Sequence, residues 1–247
     1  MLLKIIAYPL TVIYLLVFGL TLVVFHPIQW ACHKGFGYKA HKKSVDILNL
    51  CLMRCMHVLG VRYSFINEFK IESGHPMIIV ANHQSMNDIP PIIWHMRRFH
   101  PKFISKQELG KGIPSVSYNL RHGGSVLINR KDPVRSIKAI EQFASQVNSN
   151  NWAAVIFPEG TRSRDGVPKT FKRKGLETLM SHMPNATIVP LSISNSWKTL
   201  RYGKFPMGIG AHIKLKVHQP IAFDGQNIHE LIDQIEHQIT QYVTENQ

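Results

Sequence analysis

His83 and Asp88 stand five residues apart in the stretch Asn82-His83-Gln84-Ser85-Met86-Asn87-Asp88. Imidazole is the side chain best suited to general-base work near neutral pH. A carboxylate that accepts from one ring nitrogen fixes the tautomer and supports the imidazolium as it forms. Positions i and i+5 do not share a helix face, so the two can meet only if a turn runs into a helix start and folds His83 back onto Asp88. The same residues have a plainer reading, in which Asn87 or Asp88 caps the helix opened by Pro90 and Pro91 and His83 is an ordinary loop residue. The readings are compatible, because a capping Asp is held still.

Two further loops carry charge. Ile128-Asn129-Arg130-Lys131 follows an apolar run, and an Arg and a Lys at the carboxyl end of a strand beside a helix start suit an anionic group. Taken alone, that loop also fits a solvated basic turn. Phe157-Pro158-Glu159-Gly160-Thr161-Arg162-Ser163-Arg164 delivers a carboxylate, a flexible backbone, a hydroxyl and a guanidinium directly behind the run WAAVIF. Arg162 can grip a phosphate bidentately and Gly160 lets the backbone approach a ligand, while Lys169, Lys172, Arg173 and Lys174 add positive charge around Phe171. Other signatures fail. Gly123-Gly124-Ser125-Val126-Leu127 lacks the final Gly of a nucleophile elbow, and neither a P-loop nor H-E-x-x-H occurs. Cys51 and Cys55 lie near His57 without a tetrahedral ligand set, so no metal site is expected. Three Cys make no disulfide framework and favour a reducing compartment.

Strands and helices must alternate to position these loops. Strands are expected at 76–81, 102–105, 124–129, 152–157, 187–193 and 213–217, the first and fourth as short apolar runs. Helices are expected at 89–98, 115–120, 133–147, near 175–182 and at 228–243. Asp132 and Pro133 supply the cap and first position of the third. This pattern predicts an α/β domain with a mostly parallel central sheet flanked by helices. Ligands of such sheets lie beyond the carboxyl ends of the strands, where the three loops fall.

The amino terminus is different. Ile5–Phe25 is 21 residues without a charge, enough for a helix about as long as the bilayer hydrocarbon is thick, with Pro9 and Gly19 as points of bending. It is too long for a signal-peptide core and no small-x-small cleavage site follows. Lys34, Lys39, Lys42 and Lys43 come next, a cluster that favours the cytoplasmic side and anionic headgroups. Ser44–Leu59 reads as a second apolar helix lying in the interface. Residues 1–60 are thus expected to be membrane-associated helices and 61–247 the α/β domain. Hydrophobic residues make up 45% of the 247, which excludes disorder. The formal charge of +14 calls for an anionic partner: nucleic acid, a membrane surface or acidic substrates.

The three loops in this order, with Ile188–Pro190, resemble the glycerolipid acyltransferase family, whose best-known members convert lysophosphatidate to phosphatidate. N-H-x4-D together with F-P-E-G-T-R-S carries the resemblance, which runs from about residue 76 to 193. Size, charge and the apolar amino terminus are like those of the family's single-domain bacterial members, implying a bacterial inner membrane with the catalytic domain on its cytoplasmic face. The resemblance implies that His83 and Asp88 form the catalytic dyad. It implies that Arg130, Glu159 and Arg162, with Gly160 and Thr161 between them, shape the acceptor phosphate site, and that Lys106 lines it. The family often has Asp where Asn129 stands. The implied reaction moves an acyl group from a thioester, on acyl carrier protein or coenzyme A, to the free hydroxyl of 1-acylglycerol-3-phosphate, without a metal or bound cofactor. Donor, acceptor and membrane are all acidic, which accounts for the charge without nucleic acid. Two alternatives stand beside this: the same chemistry on another lysophospholipid or a lyso-aminolipid, and an inactive basic protein that binds a membrane surface or nucleic acid.

Overall fold

Strands buried on both faces read as unbroken apolar runs, and Met77–Ala81 (MIIVA) is buried at every position. The computed structural model describes residues 2–223 and 227–246. It places this strand, β2, in the middle of a sheet to which β1 (Arg62–Ile66), β3 (Pro101–Lys106), β4 (Val126–Ile128), β5 (Ala153–Ile156), β6 (Thr187–Ser194), β7 (His212–Val217) and β8 (Ile221–Ala222) also belong. The order is β1-β7-β6-β2-β5-β3-β4, with β8 on β6. From β6 to β4 every pair is parallel; β7 and β8 run antiparallel to β6, and β1 follows β7. The mostly parallel α/β sheet expected from the alternation is present. Two strands were not anticipated: β1 is only half buried, and β8 is two residues long, so neither forms an apolar run.

The helices are α1 (Leu2–Cys55), α2 (Ile89–His95), α3 (Val116–His122), α4 (Pro133–Ser149), α5 (Arg173–His182) and α6 (Ile228–Glu245). Side chains of a strand point alternately to opposite faces. Accordingly, Met77, Ile79 and Ala81 enter a core shared with α1 and α2, while Ile78 and Val80 enter one shared with α4, α5 and α6. Asp132 caps α4 as expected, its side chain accepting from the Arg135 N–H.

The amino terminus departs from expectation. Instead of two helices separated by a basic linker, α1 is one helical run kinked at Gly37, where φ is 74°. Glycine reaches that left-handed conformation without a Cβ clash; Pro9 and Gly19 lie in unbroken helix. The Ser44–Leu59 stretch does not lie out on the surface either. Val45, Leu48, Leu52, Met53 and Cys55 are buried, and the helix packs on α2. Its charged positions permit this because Lys42 pairs with Asp46 at 2.6 Å, one turn along the same helix.

Candidate active site

β2 and β6 pair in parallel up to Ala81 and Leu191. The next residue on β2, Asn82, prolongs the ladder with its side chain: Nδ2 donates to Ile193 O at 2.8 Å and Oδ1 accepts from Ile193 N at 2.7 Å. All of this is buried. Asn82→Ala is expected to strand both backbone groups of Ile193, costing about 2–6 kcal/mol at 1–3 per unsatisfied group. Thermal unfolding of the detergent-solubilised variant measures it, and a loss below about 1 kcal/mol would show that water replaces the amide.

The chain then turns sharply. His83 Nδ1 lies 2.8 Å from Asp88 Oδ2, so the turn into a helix start does fold the two together. The same carboxylate oxygen accepts the N–H groups of Gln84 (2.8 Å) and Ser85 (2.9 Å), and Oδ1 accepts the Ser196 hydroxyl. An oxygen that already accepts two backbone N–H groups faces the ring as an acceptor. Nδ1 therefore carries the imidazole proton, which leaves Nε2 with its lone pair. The ring is stacked on Phe157, centroids 4.3 Å apart, and keeps 18% of its surface exposed. The cap lies at Ser85, two to three residues before the expected Asn87 or Asp88. Ser85 starts the helical turn through its side chain and the Asn87 N–H, with Asp88 as the reciprocal partner of a capping box, so Asp88 does not cap α2.

Glu159 is buried, with Oε1 accepting the His83 N–H at 2.8 Å and Oε2 the Lys169 N–H at 3.2 Å. Burial pushes its carboxyl up to about 7 even though both N–H groups favour the charged form. The structure thus turns Glu159 inward as a brace between the first and third loops. A second brace is the Ser163 N–H, which donates to His83 O at 2.8 Å. The Arg130 guanidinium reaches the Gly160 carbonyl, joining the second loop to the third. Gly160 has φ 70° and sits so close to Lys172 that a Cβ would meet that side chain at 3.2 Å. Lys169 Nζ donates to Thr161 Oγ1 and to Arg162 O, both at 3.1 Å, and leaves the Thr161 and Arg162 side chains exposed on the rim. Lys106 ends β3, exposed, on the same edge. One group of partners escaped the sequence. Ser196, Thr199 and Gln84 knit the dyad to the chain after β6, with Gln84 Oε1 accepting the Ser196 N–H at 3.0 Å and Thr199 Oγ1 accepting from Asn87 Nδ2 at 3.1 Å. No spacing or composition marks a single Ser or Thr 108 or more residues away.

An imidazole held by a buried carboxylate at the carboxyl edge of a parallel sheet, beside loops that carry Arg and Lys, can deprotonate a hydroxyl on an anionic molecule. The model of a family described as Acyltransferase matches residues 62–194, more than half of the chain. The chain belongs to the Acyltransferase family. Its dyad, Arg130, Glu159 and Arg162 fall inside the matched region; Ser196 and Thr199 fall just beyond it. Among curated proteins, it is 29% identical over 149 residues to the chloroplastic 1-acyl-sn-glycerol-3-phosphate acyltransferase LPAT1 of Arabidopsis thaliana, covering 60% of this chain and 40% of that protein. It is 32% identical over 124 residues to the 1-acyl-sn-glycerol-3-phosphate acyltransferase of Helicobacter pylori, 49% of each. The match spans about half the length of the first curated relatives, from 40% to 54%. The crystal structure of the 1-acyl-sn-glycerophosphate (LPA) acyltransferase PlsC from Thermotoga maritima superposes with a TM-score of 0.76 at 25% identity, covering 96% of this chain and 94% of that one. With that coverage the superposition takes in both the sheet and the long apolar amino-terminal helix.

Proposed function

We propose that this acyltransferase moves a fatty acyl group from a thioester to the free hydroxyl of 1-acylglycerol-3-phosphate, giving phosphatidate. The observation that carries the reading is the His83–Asp88 pair, with Nε2 left as the base beneath a basic rim. His83 Nε2 takes the proton of the acceptor hydroxyl as its oxygen attacks the thioester carbonyl. The tetrahedral intermediate collapses with cleavage of the carbon–sulfur bond, and the departing thiolate recovers the proton from the imidazolium. Asp88 holds the ring and stabilises its charge while the proton is in transit. Arg130, Arg162, Lys106 and the Gly160-Thr161 backbone form the seat of the acceptor's phosphate, and Glu159 contributes by fixing the loop that carries them. No metal or bound cofactor takes part; the names of the relatives and the exposed cations support a phosphate-bearing acceptor.

Residues 1–60 serve as the membrane-binding part and 61–247 as the catalytic part, on the cytoplasmic face. α1 lies in one leaflet and does not cross. Ala7, Thr11, Tyr14, Leu22 and Gln29 form a buried stripe along it. Thr11 Oγ1 accepts the Met207 N–H, and the Ser115 hydroxyl donates to Leu22 O. A helix fastened lengthwise to a protein with a charged surface cannot surrender that stripe to lipid. Its other faces are apolar and open, Leu16 at 69% and Leu20 at 64% exposed. Leu16→Glu with Leu20→Glu leaves the buried stripe intact and removes about 3–6 kcal/mol of apolar insertion, so vesicle binding is expected to weaken by about 10²–10⁴-fold. Co-sedimentation with anionic vesicles measures this; unchanged binding would remove α1 from the membrane contact.

The test of the whole reading is acyl transfer by the purified protein from acyl-coenzyme A or acyl carrier protein to a panel of lyso-lipids. Turnover is expected with lysophosphatidate. A preference for an acceptor without a phosphomonoester would transfer the same chemistry to another lipid. Salt-dependent nucleic-acid binding without any acyl transfer would replace it with the binding-protein alternative.

A further inference from the structure

Beside β4, the outermost strand of the ligand edge, lies a groove of about 450 Å³ that the dyad and the phosphate seat do not use. Leu127, Ile128 and Ala139 give it an apolar lining, Gln107 and Asn129 add side-chain amides, and Lys111, Arg121 and Arg135 add positive charge. Asp132 is the one carboxylate among the lining residues; it caps α4 and pairs with Arg135 at 3.3 Å. Among the described residues neither Lys111 nor Arg121 takes part in an ion pair. Arg130 also leaves from the end of β4, but its guanidinium turns to Gly160 behind β5, so the two groups of cations face different places. One group of cations thus adjoins the third loop, and a second lies at the edge of the sheet.

We infer that the groove receives the phosphopantetheine arm of the acyl donor, with its phosphate at Lys111 and Arg121. The inference rests on the thioester reading above and names the part of the donor that coenzyme A and acyl carrier protein share. Three strand spacings separate β4 from β2, which carries His83: β2-β5-β3-β4. At about 4.8 Å each that is roughly 14 Å. The arm has about thirteen bonds from sulfur to phosphorus, and an extended chain of that length reaches roughly 15 Å at about 3.5 Å per three bonds. A thioester carbonyl at His83 therefore puts the phosphate at the groove. The arm's two amides and its gem-dimethyl group match the side-chain amides and the apolar lining. An acceptor's own phosphate sits only a few bonds from the reacting hydroxyl and cannot reach so far.

The test compares the intact protein with Arg121→Glu and Lys111→Glu, both exposed positions whose replacement leaves the core alone. With lysophosphatidate as acceptor, KM for acyl-coenzyme A and for acyl carrier protein is expected to rise about tenfold. The rise should be at least about fivefold larger than for an S-acyl pantetheine lacking the phosphate, and confined to the donor. An equal rise for the phosphate-free thioester, or a rise in the lysophosphatidate KM instead, overturns the inference. So does a rise for carrier protein alone, which would make the groove a protein-docking surface, or for coenzyme A alone, which would place its nucleotide there. Calorimetry with coenzyme A as the probe reads the site without turnover: affinity about tenfold weaker in Arg121→Glu supports the groove, and equal affinity overturns it. A wild-type protein that binds coenzyme A through Arg121 yet acylates no lipid would sink the proposed function and leave the groove standing.

Discussion

His83→Ala is expected to lower kcat by about 10³-fold or more, within the 10²–10⁴ that a positioned acid–base group contributes. The fold should survive. The side chain is partly exposed, and the backbone bonds of His83 to Glu159 and Ser163 do not involve the ring. Asp88 keeps three donors when the imidazole is gone, namely two backbone N–H groups and the Ser196 hydroxyl, so its buried charge remains compensated. The KM for lysophosphatidate should change little, because Arg130 and the 161–169 loop hold their geometry independently of the ring. Steady-state kinetics with a thermal-unfolding control reads both quantities. Turnover within tenfold of the unmodified protein would discard His83 as the base.

Asp88→Asn separates geometry from charge and is expected to cost about 10²–10⁴ in kcat. Oδ2 accepts from His83 Nδ1, Gln84 N and Ser85 N, whereas Oδ1 faces only a hydroxyl. An asparagine can therefore set its carbonyl oxygen in the Oδ2 position and turn its amide towards Ser196, whose hydroxyl accepts as readily as it donates. Every bond has a replacement, so the turn should keep its shape. What disappears is the negative charge opposite the imidazolium that forms when the acceptor is deprotonated. Loss of kcat with little change in melting temperature would identify Asp88 as the charge that supports the base. A large fall in melting temperature with near-normal kcat would make it a capping residue only.

Legibility in the sequence followed the range of the signal. The strand MIIVA, the Asp132-Pro133 helix start and the H-x4-D loop each express themselves within a few residues, through burial on two faces, a satisfied N–H or a turn into a helix. Loops 82–88, 128–131 and 157–164 were placed together because parallel strands deliver their carboxyl ends to one edge, and β2, β5 and β4 do so. The edge strand β1 and the two-residue β8 carry no such local signature. The kink falls at Gly37 and not at Pro9 or Gly19, since a glycine's φ becomes visible only when neighbouring helix segments dock on different surfaces.

What the chain's residues determined by themselves, then, is the kind of chemistry and its support. The α/β alternation, the base and its carboxylate, the basic loops and an apolar amino terminus are all compositional or local patterns. The tertiary structure alone decided which oxygen holds which donor. Glu159 could equally have faced a ligand; strand order places it beneath His83, 76 residues away, where its two oxygens are taken by backbone N–H groups. Ser196 became the fourth donor to Asp88 because β6 pairs with β2 and ends beside it. Apolar content says that α1 avoids water, but only the docked stripe from Ala7 to Gln29 says which face is already occupied. Contacts between residues far apart in sequence depend on strand order and register, and no residue records these singly.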